Sequence, residues 1–183
     1  MNTVVFLDPK HRRHQSAPDA VSENDITVSV VMVSYHTGPV LDDAVAALLD
    51  QNVELELILV DNGNPAEALA QFRHRAAIDP RLRLVTGHGN IGYAAACNRG
   101  AREARGRYLL LLNPDCILPP DTIGEMIRAV SPFGHPLVAG CRIVNPDGSD
   151  QRGSRRELPT PWMTLVEALR LDRIAPIIPI SNA

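Results

Sequence analysis

Apolar residues along this chain follow two rhythms that take turns. Thr27 to Tyr35 (TVSVVMVSY) is β-branched and almost continuously apolar, the pattern of a strand buried on both faces. The next stretch, VLDDAVAALLDQ, places Val40, Ala44, Ala47 and Leu48 at helical spacing. The pair then repeats. Leu55 to Asp61 (LELILVD) predicts a second buried strand, closed by the turn signal NGNP, and AEALAQFRHRAA predicts a second helix. RLRLVT is a shorter strand, IGYAAACNRGAREAR a third helix, RYLLLL a strand and DTIGEMIRAV a fourth helix. PLVAGCRIV reads as a further strand, and Asp147-Gly148 in NPDGS suits a tight turn. Strands alternating with helices of about 10–15 residues predict an α/β fold whose mainly parallel sheet is covered on both sides. No internal repeat of fixed period accompanies the alternation.

The two ends break the rhythm. Residues 1–25 mix His, Arg, Asp, Ser and Pro without periodicity and carry too little apolar surface to offset the entropy of ordering, so they read as a flexible leader. Residues 26–145 form the α/β domain, and residues 146–183 a turn and the start of a further region. The 183 residues are 45% hydrophobic and 21% charged, enough for one globular domain with its own core. A formal charge of −3 removes the main reason to expect nucleic acid as the partner. Cys97, Cys116 and Cys141 are odd in number and lack C-x-x-C spacing, which suits reduced thiols in a cytoplasmic protein. The six histidines show no pair at metal-ligand spacing. No signal-peptide pattern opens the chain, and no apolar run approaches the roughly 20 residues needed to span a bilayer. Membrane association is therefore expected to be peripheral at most, on the cytoplasmic face.

Chemistry gathers where strands end. In open parallel sheets ligands bind beyond the carboxyl ends of the strands. Three predicted strands close on polar groups: Ser34-Tyr35-His36, Asp61-Asn62 and Asn113-Pro114-Asp115. Parallel neighbours would bring all three sets to one edge, with Asp115 in a crevice only partly wet. Two carboxylates there would repel unless a cation or a hydrogen-bond donor lay between them. A magnesium-type ion on a diphosphate meets that need, since it takes one or two carboxylates plus phosphate oxygens. Asp115 is the better ligand, and Asp61 is free to accept hydrogen bonds from a base or a ribose. Taken singly, both acids also fit ordinary turn and cap chemistry.

Four stretches in order, VVMVSYHTGPVLDDAVAALLDQ, LELILVDNGN, GNIGYAAACNRGAREARGRYLLLLNPDCIL and NPDGSDQRGSRRELPTP, resemble the nucleotide-sugar half of family 2 glycosyltransferases with the GT-A fold. The likeness runs from about Val28 to Trp162 and is nearest to the bacterial rhamnosyltransferase-like branch. It implies a Rossmann-like α/β/α sandwich that binds a nucleotide-diphosphate sugar. Val33, Ser34 and Tyr35 would lie along the nucleotide, and Asp61 would bind the base. Asn90, Gly92 and Asn98 would shape the nucleotide and sugar pocket, beside a helix starting near Ile91 whose free N–H groups favour negative charge. Asn113-Pro114-Asp115 takes the place of the family's DXD motif, with Asp115 as the Mg²⁺ or Mn²⁺ ligand. His36 stands where the family usually has asparagine.

The implied reaction is inverting transfer of a sugar, with rhamnose the expected one, to a cell-surface glycan or a lipid-linked acceptor. A carboxylate would take the acceptor's proton, and the metal would offset charge on the leaving diphosphate. The base is not identifiable. Asp147 and Asp150 lie in the right region, but Asp147 belongs to a turn signature. Arg155, with Arg152 and Arg156, offers guanidinium forks to phosphate. No acidic motif follows RRELPTP, so the acceptor half reads as missing and the chain as truncated. The alternative reading is a non-catalytic remnant that binds the nucleotide-sugar, and an apolar face left by the missing half would drive self-association. GHGNIG fits G-x-G-x-x-G formally but follows the third strand, which argues against a dinucleotide-binding dehydrogenase. A receiver domain would need an acidic pair after its first strand, and SYHTG has none.

Overall fold

The computed structural model describes residues 26–133, 137–145 and 147–151, together with the backbone of residues 5–7. The chain divides after Cys141 into two compact units. The larger unit holds a five-stranded sheet in the order β1-β5-β2-β3-β4. Its strands are β1 (Val5–Leu7), β2 (Val28–Ser34), β3 (Leu55–Asp61), β4 (Leu82–Val85) and β5 (Tyr108–Leu112). The four helices are α1 (Val40–Leu49), α2 (Ala66–Ile78), α3 (Tyr93–Arg102) and α4 (Thr122–Val130). Strands β2 to β5 are mutually parallel and β1 joins β5 antiparallel, so the expected mainly parallel α/β sheet is present.

Continuous apolarity explains why β2 and β3 are central: every residue of both is buried. Alternate side chains supply two cores. Val28, Val30 and Met32, with Leu57, Leu59, Leu110 and Leu112, meet Leu41, Ala44, Val45 and Leu48 of α1, Phe72 of α2, and Ile123 and Val130 of α4. On the opposite face Val31, Val33, Ile58, Val60 and Leu109 meet Ala96 and Cys97 of α3. Each fully buried Leu, Ile or Val contributes roughly 1.5–3 kcal/mol relative to exposure. Helix α3 approaches closely because Gly100 has no side chain. A Cβ there would lie 2.5 Å from Val31 Cγ1 and 2.9 Å from Val60 Cγ2.

The amino end of the sheet carries a buried acid. Glu56 is 1% exposed, and its Oε1 accepts hydrogen bonds from Ser29 Oγ at 2.7 Å and the Arg105 backbone N–H at 2.8 Å. Its Oε2 accepts two from the Arg105 guanidinium, at 3.0 and 2.7 Å. Ser29 Oγ in turn accepts the N–H groups of Arg105 and Gly106. Burial pushes the Glu56 carboxyl upward, but the donors on Arg105 and Ser29 outweigh it and hold the group below its ordinary value. The network clamps the exit of α3 to β2 and β3.

Two expectations differ from what is found. Strand β1 lies inside the stretch expected to be a flexible leader: three backbone positions there pair with Leu109–Leu111. The strand expected over 136–144 has no ladder among the described residues. Leu137, Ala139 and Cys141 pack partly buried against the core while Val138 and Gly140 are exposed. The alternation predicts an extended chain with one face inward, but a strand also needs a neighbouring backbone to pair with. In the second unit Val144 bridges Asp150 antiparallel, around a turn in which the Gly148 N–H reaches Asn145 O at 2.9 Å. That turn is the one Asp147-Gly148 announced.

Candidate functional site

Strand register sets the first half of the site. Ser34 lies opposite Asp61 in the β2–β3 pairing, and the Asn62 N–H continues the ladder to Ser34 O at 2.9 Å. Beyond this pair the chain folds back into a loop organised by Asp61, which is 8% exposed. Its Oδ1 accepts three N–H groups: Gly63 N at 3.2 Å, Asn64 N at 2.8 Å and Asn64 Nδ2 at 2.8 Å. Asn64 also ties back to β2, donating to Ser34 O at 3.0 Å and accepting from Ser34 Oγ at 3.0 Å. One carboxylate oxygen of Asp61 thus shapes the loop. No described residue hydrogen-bonds the other.

The Tyr35 ring, 53% exposed, packs over Gly63, where a Cβ would lie 3.5 Å from Tyr35 Cε2. His36 follows at φ 48°, in the left-handed region that Asn, Asp and His enter more readily than other residues. The departure from asparagine at this position therefore keeps the backbone shape.

A second loop closes on the first. Asn62 Nδ2 donates to Asn90 Oδ1 at 3.1 Å, and Asn62 Oδ1 accepts the Ile91 N–H at 3.0 Å. Asn90 Oδ1 also accepts the Gly92 N–H at 3.0 Å. Gly92, at φ 82°, stops the helix from extending backward, so α3 starts at Tyr93 rather than near Ile91. The Ile91 and Gly92 N–H groups are therefore already engaged, and the helix's unpaired N–H groups begin at Tyr93. Asn98 is exposed on α3.

The third strand end arrives beside β2. Met32 pairs with Leu112, so Asn113 emerges at the same edge as Ser34. Asn113 is buried, and its Oδ1 accepts the Tyr93 hydroxyl at 3.3 Å. Burial and the neighbouring Cys97 thiol push the Tyr93 phenol well above its ordinary pKa, so it stays a protonated donor. Burial likewise raises Cys97 and takes Cys116 to about 11, so neither thiol is an activated nucleophile. After Asn113 the chain is anchored from below by buried Gln51, whose Nε2 donates to Pro119 O at 2.8 Å. Its Oε1 accepts the Ile123 N–H at 3.1 Å, the first turn of α4.

Asp115 is exposed and makes no ion pair among the described residues; the half-wet crevice expected for it is not found. Two further points refine the expectation. Strand β2 lies between β3 and β5, so the ends carrying Asp61 and Asp115 stand roughly 10 Å apart in the sheet. Repulsion between the two acids is then weak, and neither needs the other's charge to be offset. No cluster of three or more His, Cys, Asp or Glu capable of holding a metal occurs among the described residues. A single exposed carboxylate still fits an ion held mainly by diphosphate oxygens and water, and Asp115 has that character.

Ser34, Tyr35, Asp61, Asn90, Gly92, Asn113 and Asp115 all stand at or just beyond the carboxyl edge of the sheet. Arg152, Arg155 and Arg156 lie outside the described residues. Asp147 Oδ1 accepts both the N–H and the hydroxyl of Ser149, which hold its carboxyl below the usual range, and Asp150 pairs with Arg142. Sequence reasoning does not single out Asn64, Tyr93 or Gln51. Asn64 had a local signal in the D-x-x-N spacing of a side-chain-closed turn, whereas Tyr93 and Gln51 act on partners 20 and 68 or more positions away.

The glycosyl transferase family 2 profile matches residues 29–180, most of the chain. The chain belongs to that family. It is 31% identical over 128 residues to the succinoglycan biosynthesis protein ExoO of Rhizobium meliloti, covering 68% of this chain and 36% of that protein. It is 32% identical over 127 residues to the glycosyltransferase GlyG of Streptococcus pneumoniae, covering 67% of this chain and 41% of that protein. The chain thus spans well under half the length of these family members. Among solved structures, the mannosyltransferase PcManGT of Pyrobaculum calidifontis, in complex with GDP-Man and Mn²⁺, superimposes with a TM-score of 0.54 at 22% identity. That match covers 67% of this chain and 36% of the mannosyltransferase. The fold is the GT-A-type α/β fold of these glycosyltransferases. No described helix is long and apolar enough to cross a membrane.

Proposed function

We propose that this chain carries the donor-binding part of a glycosyltransferase that moves a sugar from a nucleotide diphosphate to a glycan or lipid-linked acceptor. The reading is carried by one observation: Ser34, Asp61 and Asn113 end three adjacent parallel strands at one edge, within a glycosyl transferase family 2 domain. Asp61 presents its second carboxylate oxygen to an N–H of the base. Tyr35, packed on Gly63, offers an aromatic face beside it. Asn90, Gly92 and Asn98, with the start of α3, border the diphosphate and sugar. Asp115 would hold Mg²⁺ or Mn²⁺, which when bound offsets the negative charge gathering on the departing diphosphate. Arg155 is assigned to phosphate, rhamnose is the first sugar to try, and transfer is inverting. The protein is assigned to the cytoplasm, with peripheral association at the membrane's cytoplasmic face and self-association as its further partners.

The test is thermal melting with UDP, TDP, GDP or ADP in the presence of Mn²⁺. A ligand at about a hundred times its Kd adds about 2.7 kcal/mol, which raises Tm by roughly 5–10 °C in a domain of this size. The matching nucleotide gives that rise in the native protein, and EDTA or Asp115→Ala removes most of it. An equal rise in Asp115→Ala would sink the metal assignment. A second reading, a nucleotide-sugar binder without turnover, is favoured by the engagement of Asp147 by Ser149 and Asp150 by Arg142. Acceptor-dependent release of nucleoside diphosphate decides for the enzyme; binding without release decides for the binder.

A further inference from the structure

The turn that carries Asp115 is built on Asn113. The Cys116 N–H donates to Asn113 O at 3.2 Å and closes a turn over Asn113-Pro114-Asp115-Cys116. Proline suits the second position of such a turn, because its ring pre-sets the backbone angle needed there. The backbone of Asp115 is therefore fixed relative to Asn113, and whatever holds Asn113 places the root of the carboxylate assigned to the metal.

Asn113 is held from across the sheet edge. Its Oδ1 accepts the Tyr93 hydroxyl at 3.3 Å, a bond that runs from the first residue of α3 to the residue just past β5. Tyr93 is itself set in place from behind. The Ile91 N–H is tied to Asn62 and the Gly92 N–H to Asn90, in the loop beside Asp61. The Ala96 N–H closes the first turn of α3 on Gly92 O at 3.0 Å. Burial and the Cys97 thiol keep the phenol protonated, so it remains a donor. One side chain thus joins the loop on the Asp61 side to the turn on the Asp115 side.

We propose that Tyr93 is a positioning residue for the metal: by holding Asn113 it sets where Asp115 meets the ion on the donor's diphosphate. The proposal rests on the donor-site reading above. Within that reading Asn113 is a strut rather than a metal ligand, its oxygen being turned to the phenol. Loss of the hydroxyl then weakens binding only where the metal takes part, and only while Asn113 is present to be held.

The experiment is calorimetry on native protein, Tyr93→Phe, Asn113→Ala and the double variant. Each is titrated with UDP, TDP, GDP and ADP, in Mn²⁺ and in EDTA. The nucleoside monophosphate of the preferred base, titrated in EDTA, serves as a probe with base and ribose but no diphosphate. Tyr93→Phe keeps the ring, so its melting temperature without ligand should fall by no more than a few degrees. Its affinity for the preferred diphosphate in Mn²⁺ should fall about three- to tenfold, with monophosphate affinity unchanged. Asn113→Ala should lose at least as much, and adding Tyr93→Phe to it should change nothing further, because the group it acts through is gone. Native diphosphate affinity in Tyr93→Phe, equal losses for diphosphate and monophosphate, or losses that add in the double variant would overturn the assignment while leaving the donor site standing. Native protein that binds none of the four diphosphates, or binds them equally in Mn²⁺ and EDTA, would remove the reading beneath it, and this one too.

Discussion

Asp61 divides its labour between its two oxygens, and that division can be tested with one atom. Oδ1 accepts Gly63 N, Asn64 N and Asn64 Nδ2, so it belongs to the fold. The second oxygen is the one assigned to the base. Asp61→Asn keeps an oxygen for the loop and turns the outward acceptor into a donor. Its Tm should stay within a few degrees of native, while nucleotide affinity falls about tenfold or more, since a charge-assisted bond is replaced by a clash of donors. Asp61→Ala should lose both, because the loop N–H groups lose their acceptor. A melting curve beside a calorimetric titration separates the two variants. Nucleotide affinity preserved in Asp61→Asn would mean the base lies elsewhere.

At the scale of elements, Gly100 decides how near α3 rides to the sheet. Gly100→Ala gains up to about 1 kcal/mol of helix propensity but drives a methyl into Val31 and Val60, an overpacking that costs about 1–3 kcal/mol. A net loss of about 1–2 kcal/mol in urea unfolding is expected. Nucleotide affinity should weaken too, since α3 carries the Asn90–Tyr93 loop. The same elements show what could be read beforehand. Strands β2 and β3 were legible almost to the residue because burial on both faces leaves only one pattern. Helix α3 is shorter at both ends than its helical pattern from Ile91 to Arg105 predicts: Gly92 at φ 82° blocks its start, and the Arg105 N–H serves Ser29 and Glu56 instead of a helix carbonyl. The stretch from Leu137 onward shows its inward face in the sequence but not its missing partner. Of the site, the strand-end row was visible because parallel register carries it. The Tyr93–Asn113 and Asn62–Asn90 bonds were not, because each joins segments 20 to 28 residues apart through loop geometry that no local pattern encodes.

Across the larger unit, the sheet has two polar ends with opposite duties. Glu56 and Asp61 sit on the same strand, five residues and so roughly 17 Å apart, one clamped by Arg105 and Ser29, the other at the carboxyl edge of the sheet. Stability and binding should therefore separate. Glu56→Gln keeps an amide oxygen for the Ser29 hydroxyl and the Arg105 N–H but turns an NH2 donor toward the Arg105 guanidinium, which loses its charged acceptor. Because that guanidinium is more than half exposed and can turn to water, the loss is about 1–3 kcal/mol rather than the full cost of breaking a buried pair. The sign with pH follows from the lowered folded-state pKa: the contribution is complete above glutamate's ordinary value of 4.5 and drains away as pH falls through the lower folded value. The gap between native and Glu56→Gln in urea midpoint should hold steady from neutral pH down to about 5 and narrow below 4. Nucleotide affinity at a temperature where both remain folded should be the same. The double variant Glu56→Gln, Asp61→Asn should show stability losses that add within about 0.5 kcal/mol, as distant sites without shared partners do. A coupling larger than that would mean that β3 transmits strain along its length, and that the clamp at one end helps set the geometry of the site at the other.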